Sequence, residues 1–473
     1  MGIQMYVREE HKVTGANALN VDKLVKMHRE HLWAHITNHK IFENAEPPIY
    51  VFADGCSITD IHGREYLDGL SGGVWCVNVG YGQRRIVDAI TKQLLEMPYY
   101  SGAAGSPPYI GLAQKMSELL PDQPRLYVAN SGSEANEKSF KMTRQYFRLK
   151  YKDRDKYKII YRHRDYHGST LAVLAATGQE ERRTDYGPYP EGFVQMPHAL
   201  CYRCQFGKTY PGCNIECARA LETVIQQEGP DTVGAVILEP ITAGGGIIIP
   251  VKEYYPIIQE ICRKYEVLLI LDEVVNGFGR TGKMFGFQHY DVDPDMITMA
   301  KGMASAYMPI SAVAAKQYIF DKFVTDPSDI LGYFRDISTY GGCAAGCAAS
   351  LANIAVIEDD GMVENSAVMG RYLLDLLKDL EEMPMVGEVR GQGLFLGIEM
   401  VEDKKTKAPL HEKYLAQVVN DAKADGVLIG RMARSVPQSN NVLTAAPPLM
   451  ISKAETERIA MAFRKGIEKL HKA

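Results

Sequence analysis

Short apolar runs that end at turn or charged residues recur through the middle of the chain. Five of them are Leu126–Ala129, Ile159–Tyr161, Val233–Leu238, Val267–Leu271 and Met296–Ala300. Runs this short, bounded by turn residues, are typical of strands buried on both faces of a parallel sheet and not of amphipathic helices. The pattern therefore predicts an α/β core.

Helical and hairpin patterns surround this core. Residues 81–97 and 107–120 carry apolar side chains at helical spacing, as does the stretch from Val21 to Leu32 near the N-terminus. Asp54-Gly55 and His62-Gly63 are typical hairpin turns within an alternating stretch, which predicts short antiparallel strands. Helix and strand patterns alternate again toward the C-terminus, so we expect a second, smaller α+β domain there.

Three of the predicted strands end at an ionisable side chain: Glu239, Asp272 and Lys301. In open α/β sheets, ligands bind at the carboxyl ends of the strands. An amine and a carboxylate at such a crevice match the needs of pyridoxal phosphate, because the amine forms a Schiff base with the cofactor aldehyde and the carboxylate pairs with the protonated pyridine nitrogen. Taken alone, such charges also fit an ordinary solvated surface.

A turn of small residues, Asn130 to Ala135, follows the strand Leu126–Ala129 and precedes a predicted helix. This order places free backbone N–H groups and the positive end of a helix dipole where a phosphate can bind. The same small residues also fit a plain helix N-cap.

Composition narrows the class of protein. A chain of 473 residues is long enough for at least two domains, and 46% hydrophobic with 23% charged residues is typical of a soluble globular protein. A net charge of −5 favours neither nucleic acid nor an anionic membrane surface as a partner. The sequence contains neither a visible secretory signal nor an apolar run long enough to span a bilayer, so we expect a cytoplasmic protein. A nucleotide-binding dehydrogenase is disfavoured because no G-x-G-x-x-G follows an early strand.

Four of the nine cysteines, Cys201, Cys204, Cys213 and Cys217, lie in one short stretch. The first pair has the two-residue gap of zinc sites, but the second gap is longer and the separation between the pairs is shorter than in common zinc modules. We expect reduced thiols that pack a loop and no metal, while a structural zinc site, and with it a scaffold or regulatory role, stays open.

The segment from Asp272 to Gly302 contains Asp272-Glu273-Val274, Gly277-Phe278-Gly279-Arg280-Thr281-Gly282 and Ala300-Lys301-Gly302. These motifs closely resemble the signature of class III aminotransferases, fold-type I enzymes that use pyridoxal phosphate, and the resemblance extends over nearly the whole chain. It implies a large domain with a mostly parallel sheet flanked by helices, and a smaller α+β domain formed by the N- and C-terminal parts. The implied bounds are an N-terminal arm and part of the small domain at 1–75, the cofactor domain at 76–346 and the C-terminal small domain at 347–473.

The resemblance also implies roles for individual residues. Lys301 is the catalytic residue and holds the cofactor. The other cofactor-binding residues are Gly132 and Ser133 at the phosphate, Tyr166 stacked on the pyridine face, Glu239 near the ring oxygen, Asp272 and Val274, and Thr339, which reaches the phosphate of the neighbouring subunit. Trp75 lines the substrate pocket, although an interior packed indole is the alternative, and Arg390 binds a carboxylate through its planar fork.

The implied reaction moves the amino group of an ω-amino acid or amine to a keto acid by a ping-pong route. Most similar is the branch in which taurine is the donor and pyruvate the acceptor, giving alanine and an aldehyde. Alternatives are β-alanine or another ω-amine as donor, or a class III aminomutase or decarboxylase. Because Thr339 serves the neighbouring site, a homodimer or a dimer of dimers is expected.

Overall fold

Sixteen strands and thirteen α-helices, together with five short 3₁₀ or π helices, make up the computed structural model over the residues that it describes, 20–151 and 153–472. The strands are β1 Tyr50–Asp54, β2 Ser57–Asp60, β3 Glu65–Asp68, β4 Arg125–Ala129, β5 Lys158–Arg162, β6 Phe193–Met196, β7 Val233–Leu238, β8 Leu268–Asp272, β9 Met296–Met299, β10 Ser311–Ala315, β11 Val386–Gly391, β12 Leu396–Asp403, β13 Ala408–Pro409, β14 Val427–Leu428, β15 Gly430–Arg431 and β16 Val442–Ala445. The helices are α1 Val21–His31, α2 Arg84–Glu96, α3 Pro107–Leu119, α4 Gly132–Lys150, α5 Leu171–Ala175, α6 Glu180–Arg183, α7 Glu216–Glu228, α8 Tyr254–Tyr265, α9 Gln317–Asp321, α10 Ala344–Asp359, α11 Met362–Leu377, α12 Glu412–Ala424 and α13 Lys453–Lys472.

The central sheet has seven strands in the order β4-β10-β9-β8-β7-β5-β6. From β9 to β6 every neighbouring pair is parallel, whereas β10 is antiparallel to both β9 and β4. Every residue of β7, β8, β9 and β10 is buried, as apolar strands covered by helices on both faces must be. The predicted mostly parallel sheet is thus confirmed.

Both ends of the chain contribute to a smaller α+β part. The hairpins β1-β2-β3 form a four-stranded sheet with β14, which pairs in parallel with β3 at Val427↔Leu67. A second sheet contains β11, β12, β16 and β15, with β13 paired to β12. This pairing confirms that N- and C-terminal segments build one α+β unit, as fold-type I requires.

The exact bounds 1–75, 76–346 and 347–473 stay a prediction, and residues 1–19 of the expected N-terminal arm lie outside the described part of the chain. Within residues 20–151 and 153–472, none of the helices combines the length and the apolar character that a bilayer crossing demands.

Candidate active site

The carboxyl ends of β7, β8 and β9 open onto one cavity of about 430 Å³. Glu239 follows β7, Asp272 ends β8 and Lys301 lies just beyond β9, and all three line this cavity. The parallel register brings them together, because Leu238 is paired with Leu271 and Asp272 with Thr298. The other lining residues are Cys76, Asn130, Ser131, Gly132, Ser133, Tyr166, His167, Gly168, Val274, Val275, Ala300, Ala306, Met308, Pro309 and Ile310.

Three groups contact the Asp272 carboxylate, from Asn136, His167 and Val274. Its Oδ2 accepts a hydrogen bond from Asn136 Nδ2 at 2.8 Å and lies 2.7 Å from His167 Nδ1, while its Oδ1 accepts from the backbone N–H of Val274 at 3.0 Å. The carboxylate is buried, 2% exposed. These contacts fix the orientation of the Asp272 carboxylate at the cavity floor.

Lys301 has a strained backbone and an unpaired amine. Its φ is +45°, which is uncommon for a residue with a side chain and is found where function fixes the conformation. No ion pair joins its amine to any residue that the structure describes. Burial lowers the pKa of Lys301, an effect that Asp272, Cys76 and Glu239 oppose. A lowered pKa raises the fraction of the neutral, nucleophilic amine.

The start of α4 forms a cradle of small residues. Ser131 caps the helix, its Oγ accepting from the backbone N–H of Glu134 at 3.2 Å, so that Gly132 and Ser133 open the first turn. Ser133 Oγ accepts from the backbone N–H of Ser169 at 3.0 Å. A Cβ on Gly168 would lie 2.4 Å from that Oγ, so only glycine allows the two segments to approach this closely. The free N–H groups at this helix end suit a phosphate.

Glu239 connects the loop of Tyr166 to the end of β7. One oxygen accepts from the backbone N–H of Tyr166 at 2.9 Å and the other from that of Ala243 at 3.0 Å. Burial, with the neighbouring charges of Asp165 and Asp272, raises the pKa of Glu239 well above its ordinary value. Glu239 therefore holds the backbone at Tyr166 beside the end of β7.

Three residues of the predicted site lie outside the cavity lining. Thr339 is exposed, and its carbonyl accepts from the hydroxyl of Tyr99 at 2.7 Å. Trp75 packs edge-on against Phe395, with ring centroids 5.5 Å apart, and its buried Nε1 has no partner among the described residues. The roles inferred for these two residues stay predictions.

Arg390, the third of them, is buried and fully engaged by protein groups. Its guanidinium lies 2.7 Å from Glu388 and 2.7 Å from Glu399, and it also donates to the carbonyls of Gly246 and Ile247. Two carboxylates of the chain already balance the charge of Arg390. Its role as a substrate ligand stays a prediction.

Sequence reasoning missed Asn136, which supports the site from outside the cavity lining, and Cys76, which lines the cavity. Asn136 supports Asp272 from α4, and a signal was present, because it lies one helical turn after Gly132 on the same face. Cys76 lines the cavity beside Lys301, whereas the resemblance implies a role in the site for its neighbour Trp75.

The cysteine cluster lies away from this site. Cys201, Cys204, Cys213 and Cys217 are free thiols that line one small recess together with His198. Over residues 20–151 and 153–472, no set of three or more His, Cys, Asp or Glu side chains is arranged to bind a metal ion.

A model of the family described as "Aminotransferase class-III" matches residues 42–467. The chain belongs to the class III aminotransferases. This confirms the family inferred from the motifs around Asp272 and Lys301.

Individual members of the family are similar over nearly their full length. The taurine–pyruvate aminotransferase of Bilophila wadsworthia is 50% identical over 445 residues, which cover 94% of this chain and 96% of that one. The hypotaurine/taurine–pyruvate aminotransferase of Paracoccus denitrificans is 47% identical over 455 residues, 96% and 98% of the two chains. The ω-transaminase of Pseudomonas jessenii, solved in complex with PMP, superposes with a TM-score of 0.89 at 30% identity, covering 94% of this chain and 98% of that one.

Class III aminotransferases use pyridoxal phosphate, so the cofactor expected from the sequence is confirmed. The described residues fit this group. The class III aminotransferase chain provides a helix N-terminus for the phosphate, a fixed carboxylate for a ring nitrogen, and an amine without a counterion for an aldehyde.

Proposed function

We propose that this enzyme transfers the amino group of taurine to pyruvate, giving sulfoacetaldehyde and alanine. The observation that carries the proposal is the similarity to the Bilophila and Paracoccus enzymes, at 50% and 47% identity over at least 94% of the chain. The shared cavity of Lys301 and Asp272 supports the amino-transfer chemistry itself.

The proposed roles of the residues follow from their positions. When bound, pyridoxal phosphate supplies an aldehyde carbon and an electron-withdrawing ring. Lys301 would act as a general base toward the proton on the amine-bearing carbon of the donor, and as a general acid that delivers this proton to the carbon supplied by the cofactor's aldehyde. Asp272, held by Asn136 and His167, presents its carboxylate at the cavity floor, and the first turn of α4 binds phosphate.

We propose further that the enzyme is a homodimer, or a dimer of such dimers, with Thr339 contributed to the partner's site. The support is the surface around Thr339, which is rich in exposed apolar and aromatic side chains: Tyr99, Tyr100, Ile330, Leu331, Tyr333, Ile337 and Tyr340. Exposed apolar side chains in such number, among them the contacting rings of Tyr99 and Tyr340, are typical of protein interfaces. A cytoplasmic location, expected from the sequence, stays a prediction.

The test is a donor panel with purified holoenzyme and pyruvate, in which alanine is measured. Taurine is expected to give the highest kcat/KM, β-alanine and simple amines lower values, and Lys301→Ala no more than about a thousandth of the wild-type rate. If alanine forms when β-alanine is the donor but not when taurine is, the donor would be assigned as another ω-amine. If pyruvate yields no alanine with any donor of the panel, the result would favour an aminomutase or a decarboxylase.

A further inference from the structure

Arg182, on α6, lies beside the wall of the active-site cavity. Its guanidinium carbon is 5.8 Å from the ring centroid of Tyr166, a residue that lines the cavity. One terminal nitrogen donates to the carbonyl of Ala433 at 3.3 Å, and the buried Nε has no partner within the described part of the chain. The aromatic ring holds the cation in place and leaves several N–H donors unused.

The nearest carboxylates on the same helix are engaged elsewhere. Glu180 lies 3.0 Å from His163, and Glu181 accepts from Asn440 Nδ2 at 2.9 Å. Among the residues that the structure describes, no carboxylate forms an ion pair with Arg182.

Three arginines in the surrounding segments have counterions, unlike Arg182 in the part of the chain that the structure describes. Arg390 lies against Glu388 and Glu399, and Arg431 and Arg434 both lie against Glu412, at 3.1 and 3.6 Å. Burial lowers the pKa of Arg182 and the proximity of Arg434 adds to this effect, whereas Tyr166 and Glu181 oppose it. A partly buried guanidinium near a second cation favours the binding of an anion from solution.

We propose that Arg182 binds the anionic end group of the amine donor, the sulfonate of taurine or the carboxylate of an ω-amino acid. A guanidinium presents parallel N–H donors that match the paired oxygens of either group. The inference rests on the proposed function and deepens it, because it assigns the anion-binding role to a residue that no sequence motif indicates. Arg390, the residue expected for this role, already has its charge balanced within the protein.

The test compares Arg182→Gln and Arg182→Lys with Arg183→Gln as matched control. Arg183 is the next residue on the same helix and donates to the hydroxyl of Tyr161, away from Tyr166. Holoenzyme is titrated with ethanesulfonate, which has the anionic group but no amine, and binding is followed by the visible absorbance of the cofactor. KM is then measured for taurine and for propylamine, with pyruvate as acceptor.

Arg182→Gln is expected to weaken ethanesulfonate binding about tenfold or more and to raise the KM of taurine similarly. The KM of propylamine should stay within about twofold, since it has no anion to bind, and Arg183→Gln should match the wild type. Arg182→Lys keeps the charge but loses the fork, so an intermediate affinity is expected.

Unchanged ethanesulfonate affinity in Arg182→Gln would overturn the assignment, even if the wild type forms alanine from taurine and the proposed function stands. If the wild type forms no alanine from taurine, the proposed function fails, while a selective loss of ethanesulfonate affinity would still support the anion site. An equal loss for ethanesulfonate and propylamine in both Arg182 variants would show a structural role and also overturn the assignment.

Discussion

Two cations of this protein illustrate how surroundings decide the use of a charge. Lys301 faces the cavity without an ion pair among the described residues, whereas Arg390 is enclosed by Glu388, Glu399 and backbone carbonyls. A charge that is satisfied inside the protein contributes to structure, and removing one partner leaves the other buried without compensation. At the residue scale, function therefore lies with side chains whose hydrogen-bonding and charge capacity the fold leaves open.

Arg390→Gln is expected to lower the free energy of unfolding by about 3 kcal/mol, because Glu399 would keep only Arg203 as its buried partner. Urea unfolding followed by tryptophan fluorescence measures the change. Arg434→Gln is the control, since that side chain is 55% exposed and its surface pair should contribute less than about 1 kcal/mol. An unchanged stability with a raised KM for pyruvate would instead make Arg390 the carboxylate ligand that the resemblance implies.

At the scale of elements, the site depends on where strands end and where one helix begins. The ends of β7, β8 and β9 place Glu239, Asp272 and Lys301, and the start of α4 places Gly132 and Ser133 opposite the loop of Gly168. The loop of Gly168 lies so close to Ser133 that a side chain added at Gly168 would displace Ser133.

Gly168→Ala is expected to weaken pyridoxal phosphate binding by at least about fivefold, because the added Cβ would press Ser133 out of the cradle. The measurement is a dissociation constant from apoenzyme titrated with cofactor. Gly212→Ala, whose Cβ would meet nothing nearer than Thr209 O at 3.7 Å, should bind as the wild type does. Equal cofactor affinities in the two variants would contradict the binding of the phosphate at the first turn of α4.

At the scale of the whole molecule, one chain leaves an apolar surface around Thr339 uncovered. Ile337 is 78% exposed and Tyr340 66%, values that are unfavourable for apolar side chains in water. Tyr99 and Tyr340 contact each other across this surface, with ring centroids 6.0 Å apart. The proposed dimer would cover this surface with a second copy of the chain.

Ile337→Glu is expected to convert the proposed dimer into monomer and to reduce alanine formation in the same proportion, since a buried charge would oppose association. Sedimentation velocity and activity are measured on the same samples. Met461→Glu, on α13, replaces another exposed apolar residue and should leave both quantities unchanged. A wild-type monomer with full activity would contradict the shared site.

The resemblance and the strand pattern predicted much of this protein. The buried strands, the helices between them, the family and the cofactor followed from the apolar runs and from the motifs around Asp272 and Lys301, because both depend on residues close in sequence. The antiparallel direction of β10 was not predicted, since local propensity contains no information on strand direction.

By itself the sequence determined the order of elements and the chemistry at the strand ends, since a lysine after one strand and an aspartate after another must share an edge once the strands pair in parallel. Only the tertiary structure decided which charges remain free. Glu399 reaches Arg390 through the pairing of β11 with β12, and Arg203 comes to Glu399 from a distant loop. Ion pairing acts over a few ångströms whatever the sequence separation, so the contrast between Arg390 and Arg182 becomes visible only after the chain has folded.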